Sequence, residues 1–102
     1  MKLINNFGRV DYATPVRGQN MKPTLESGDI VLCQRISLAD VAFPWHSPCV
    51  ITTTQGKSFV RLHKNDINTV LAVSDNKDYE PFVIPVSYIQ EVALIKGVIR
   101  ML

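Results

Sequence analysis

The chain has 102 residues, 46% of them hydrophobic and 20% charged, and 11 basic against 9 acidic side chains give a net charge of +2. That is material for one small domain and not for two. It excludes a disordered, weakly hydrophobic chain and the strongly basic footprint of a dedicated nucleic-acid binder, and no apolar run approaches the roughly 18 residues of a membrane span.

The first residues, Met1-Lys2-Leu3-Ile4-Asn5-Asn6, hold no apolar core long enough for a signal peptide. Cys33 and Cys49 are too few for a disulfide framework, and they lack the spacing and histidine partners of a zinc site. The expectation is a cytoplasmic domain with two free thiols, no metal and no cofactor.

Residues 1–14 show no clear period and read as an N-terminal tail or a leading strand, ahead of one domain over 15–102. Asp29 to Ile36 is rich in β-branched and aliphatic residues and follows the turn signal Ser27-Gly28. Cys49 to Thr54 and Ser58 to His63 flank Gln55-Gly56 and predict a hairpin. Thr69 to Ser74 is a further strand. Phe82-Val83-Ile84-Pro85, bounded by prolines, suits a sheet edge. Ile89 to Ile99 predicts a long closing strand, although Val86 to Leu94 alone also fits a helix. Only Met21 to Leu25 and Ser37 to Asp40 suggest single helical turns. Short strands with turn signals about every ten residues predict a mostly β fold, a barrel or sandwich.

The most informative stretch is Arg17-Gly18-Gln19-Asn20-Met21-Lys22-Pro23-Thr24-Leu25-Glu26-Ser27-Gly28-Asp29. Gly18 permits a positive-φ turn, Pro23 fixes a second one, and Met21 is a candidate core anchor. On the residues alone this is an ordered loop between two strands with Asn20 at its tip.

Gly18-Gln19-Asn20-Met21-Lys22-Pro23-Thr24, followed by Gly28-Asp29-Ile30-Val31, resembles the nucleophile box of LexA-like self-cleaving repressors and the related signal peptidases. Ser58-Phe59-Val60-Arg61-Leu62, Leu71-Ala72-Val73-Ser74-Asp75-Asn76 with Tyr79 and Pro81, and Gly97-Val98-Ile99-Arg100 resemble later segments of that family, in the same order. The likeness runs from about residue 15 to 102 and is greatest to the C-terminal domains of helix-turn-helix repressors of the Bacteroides type.

The resemblance implies a LexA/signal-peptidase-like β fold and a Ser–Lys dyad, in which a desolvated neutral lysine takes the proton of the serine hydroxyl. In this sequence Asn20 stands at the serine position and Val60 at the lysine position. An amide is not a comparable nucleophile and valine is no base. Lys57 lies an odd number of residues from Val60, on the opposite strand face. Lys64 shares the face of Val60 but lies roughly 13 Å further along. Residues 1–19 also lack the Ala-Gly or Cys-Gly bond that such proteins cut in themselves.

These departures lead to a catalytically inactive domain that dimerises or regulates within a repressor system. The candidate dimer interface is Lys96, Gly97, Val98, Ile99, Arg100, Met101 and Leu102, because the resemblance gives the closing strand that role. A strand that ends the chain is also expected to leave an unpaired sheet edge. The implied partners are a second copy or a full-length repressor with a helix-turn-helix domain, with no direct nucleic-acid binding and no membrane. An active self-cleaving peptidase, and a small β domain that binds peptide or nucleic acid, are the competing readings. His46 and His63 read as isolated histidines, and Trp45 as a packing anchor or a wall of the cleft.

Overall fold

The computed structural model describes residues 8–101. Seven strands form one antiparallel sheet: β1 (Tyr12–Pro15), β2 (Ile30–Ile36), β3 (Pro48–Thr53), β4 (Gly56–Lys64), β5 (Thr69–Val73), β6 (Phe82–Pro85) and β7 (Glu91–Ile99). Their spatial order is β1-β2-β7-β3-β4-β5-β6, and the sheet curls into a half-barrel. The mostly β expectation holds. Val86–Tyr88 is one 3-10 turn, so the helical option over Val86 to Leu94 gives way to that turn followed by strand.

Residues 1–7 and Leu102 lie outside the described residues, so the tail reading and the last interface candidate have no structural counterpart here. β1 spans Tyr12 to Pro15, across the 14/15 boundary drawn from sequence.

Alternation along the strands builds two cores, one on each side of the sheet. Cys49, Ile51, Val60, Leu62, Val70, Ala72, Ile84 and Val92 face one side, where Phe43 closes the cluster and Trp45 packs on it. Val31, Cys33, Val50, Phe59 and Ala93 face the other, covered by Val16, Met21 and Leu25 from the β1–β2 loop. β3 is buried on both faces, which explains its unbroken apolar run. Met21 is in the core, as read from sequence, and both cysteines are buried there as well. Burial pushes the Cys49 thiol up to about 12 and raises that of Cys33.

The closing strand corrects one expectation. β7 is not a sheet edge: it lies between β2 and β3, and β1 and β6 are the edges. Its two sides differ, however. β2 pairs with Val92 through Ile99, whereas β3 pairs only with Glu91 to Leu94. Opposite Leu32 and Cys33, the partners jump from Gly97 to Ile95, so Lys96 is an extra residue that bulges β7. Beyond Leu94, no strand among the described residues pairs with the second side. The edge expected of the whole strand is therefore confined to its last five residues.

Candidate active-site cleft

The β1–β2 loop is closed at its base by Val16 N–H to Asp29 O (2.7 Å) and Gly28 N–H to Val16 O (2.9 Å). Inside it, Leu25 N–H bonds Met21 O at 2.9 Å, which closes a tight turn rather than the helical turn expected from sequence, and both side chains are buried in the core. Gly18 takes φ +93°, a conformation unfavourable for any residue with a Cβ. Pro23 follows a cis peptide bond. Met21 and Leu25 hold the loop from beneath, and Asn20 is left beside β4.

β5 pairs with β4 only from Arg61 to Lys64, so Gly56 to Val60 extend past the end of β5. Asn20 fills the start of that gap. Its Nδ2 donates to Phe59 O at 2.7 Å and to Ser74 Oγ at 3.1 Å. The two donors of one amide group thus satisfy a carbonyl that β5 no longer reaches and a serine only 6% exposed.

A second set of bonds ties this loop to the segment after β5. Asn76 donates its backbone N–H to Asn20 O (2.9 Å) and its Nδ2 to Gln19 O (3.0 Å). The Thr24 hydroxyl donates to Asp75. Arg61 grips the same carboxylate with two bonds, 2.7 Å from Nε and 3.1 Å from Nη2, and a third bond joins its Nη1 to His46 O at 2.9 Å. The Arg61 guanidinium holds the Asp75 carboxyl below its ordinary range.

The cleft left open has a volume of about 320 Å³. Arg17, Gly18, Gln19 and Asn20 line one wall, Lys57 to Val60 the floor, and Ser74, Tyr79, Glu80 and Phe82 the rest. The positions that the resemblance assigns to serine and lysine are therefore brought to one site. Val60 is 1% exposed, with its side chain in the core cluster. Lysine at such a place would be desolvated, and desolvation favours the neutral amine.

Lys57 and Lys64 lie as the strand parity predicts. Lys57 Nζ is drawn to the Tyr12 ring, 4.7 Å from its centroid, and Lys64 Nζ lies 5.6 Å from the Trp45 ring. Trp45 does not line the cleft: it stands edge-on to Phe43 at 4.8 Å and packs on the core.

Three participants were not legible as such in the sequence. Arg61, Asp75 and Asn76 stand there only inside segments that resemble the family, with no contact assigned to them. The two histidines are not isolated, since their rings stack at 3.9 Å. Burial, with His46 next, lowers the proton affinity of His63. Among the described residues no group of three His, Cys, Asp or Glu could hold a metal ion, and no helix is long and apolar enough to cross a membrane.

The Peptidase S24-like family matches the chain over residues 3–99. The chain belongs to the Peptidase S24-like family. That span takes in all seven strands, the Asn20 loop and the cleft. A comparison with curated proteins finds no match.

Proposed function

We propose that this Peptidase S24-like chain has given up catalysis and works as the dimerising, regulatory module of a transcriptional repressor system. The observation that carries the reading is Asn20. At the loop position where the family resemblance calls for serine, a carboxamide donates both its hydrogen bonds to the protein itself, to Phe59 O and Ser74 Oγ. Val60 supplies no base to the same cleft. Lys57, the lysine nearest to Val60 along β4, is engaged on Tyr12.

Dimerisation is supported by the last part of β7. Ile95 to Ile99 have one strand partner where Val92 to Leu94 have two. Val98 and Ile99 are 44% and 48% exposed, and Met101 is 86% exposed. An apolar strand segment with an open side suits pairing with a second copy, or with the same domain of a full-length repressor.

Sedimentation of the chain over a concentration series tests the reading, with the same samples followed for cleavage at raised pH. A concentration-dependent dimer of intact chains is expected. A monomer at every concentration removes the assembly claim, and site-specific cleavage removes the claim of inactivity.

A second reading rests on the cleft. Gly56 to Val60 extend past β5 beside an opening of about 320 Å³. An extended peptide could be held there by strand addition, without being cut. It becomes the better reading if the chain proves monomeric.

A further inference from the structure

Arg100 is the residue that immediately follows β7, and Asp29 is the residue that immediately precedes β2. Ile99 and Ile30, their neighbours, are paired across the ladder. Arg100 donates from Nε to Asp29 Oδ1 at 2.9 Å and from Nη2 to Asp29 Oδ2 at 2.8 Å. Such a two-point fork fixes direction as well as distance. Asp29 is 3% exposed, and its Oδ2 also accepts the Glu26 N–H at 2.8 Å. The carboxylate is therefore anchored in the Asn20 loop before Arg100 reaches it.

We infer that Arg100, clamped on Asp29, is a positioning residue that presets the end of β7 for pairing with a partner chain. The inference rests on the dimer reading above and names the residue that organises that surface. The argument is one of order. Val98, Ile99 and Met101 are the exposed apolar residues of this segment, and the bulge at Lys96 has already interrupted the ladder behind them. A strand end held only by β2 on one side frays readily. Pairing such an end costs the entropy of ordering it, and a fork that orders it beforehand removes that cost. The clamp touches no partner itself; it acts through the backbone of Val98 to Met101.

The test compares the full chain with Arg100→Gln, Arg100→Lys and Val98→Asp by sedimentation and by amide hydrogen exchange. Arg100→Gln is expected to weaken dimerisation by about tenfold. Exchange should quicken more at Val98 to Met101 than at core amides such as those of Ile51 and Leu62, which share only the loss of overall stability. Arg100→Lys, which restores the charge without the fork, should recover part of the affinity.

The inference is overturned if Arg100→Gln dimerises like the parent chain while Val98→Asp does not, and the dimer reading then stands. It is equally overturned if Arg100→Gln lowers protection evenly, in the core as much as at Val98 to Met101, because the pair then supports the whole fold and not the strand end in particular. A parent chain that stays monomeric, or a Val98→Asp chain that still dimerises normally, overturns the assembly surface itself and the role of Arg100 with it.

Discussion

Asn20 shows how one side chain can tie a loop to a sheet. A serine there would present one hydroxyl, whereas the carboxamide presents two N–H donors, and Phe59 O and Ser74 Oγ take both. Asn20→Ala leaves these acceptors without their partner. It should lower stability by about 1–3 kcal/mol, read from the midpoint and slope of urea unfolding. Val60 makes the opposite point. With 1% exposure it sits in the core, so Val60→Lys should cost about 3–5 kcal/mol near neutral pH, the penalty of a buried unpaired charge. Raising the pH should recover part of that loss, because a desolvated amine is neutral more readily. A Val60→Lys chain as stable at pH 7 as at pH 10 would contradict the buried placement. Neither could be read from the motif: the amide's partners lie 39 and 54 positions away, and the burial of Val60 rests on residues of the neighbouring strands β3, β5, β6 and β7.

The hairpin of β3 and β4 was plain in the sequence, because its signal is local. A β-branched run, Val50 to Thr54, and the strand-like run Ser58 to His63 flank Gln55-Gly56, and the register follows from the turn, with Thr53 opposite Gly56. Gly56 takes φ +110°, so Gly56→Ala should destabilise the chain by about 1 kcal/mol by forcing a Cβ into that conformation. Thermal unfolding measures this. A methyl there meets no atom within 4 Å, so any loss is conformational rather than steric crowding. β6 at the sheet edge was equally legible, from its flanking prolines. β7 was not. Its aliphatic run predicted a strand correctly but assigned it to an edge, and the structure inserts it between β2 and β3. A strand buried on two sides and a strand covered by a partner both read as unbroken apolar sequence.

Across the whole molecule, two carboxylates hold the long connections to the sheet. Asp29 joins the Asn20 loop to the end of β7, and Asp75 joins it through Thr24 to Arg61 on β4. The Arg100 guanidinium, with the Glu26 N–H, lowers the Asp29 carboxyl to about 2, and Arg61 lowers that of Asp75. Both are depressed in the fold, so the unfolded chain binds protons first. Their contribution is complete above about pH 4, near the unfolded carboxyl value. For Asp29 it is lost as the pH falls towards about 2. Unfolding titrations from pH 6 to 2 should therefore show stability falling in that window, and Arg100→Gln should flatten the fall; an equally steep fall would mean that Asp29 owes nothing to Arg100. The sequence by itself determined what depends on near neighbours: most of the strands, the positive-φ turn at Gly18, Met21 as a core anchor, and a family resemblance carried by short ordered motifs. Only the tertiary structure decided which strand lies beside which, that Asn20 reaches Phe59 and Ser74, that His46 and His63 stack, and that Arg100 closes on Asp29. Those are contacts between residues far apart in the chain. Their choice follows from how two buried faces and a few buried polar groups are satisfied together, which no local pattern records.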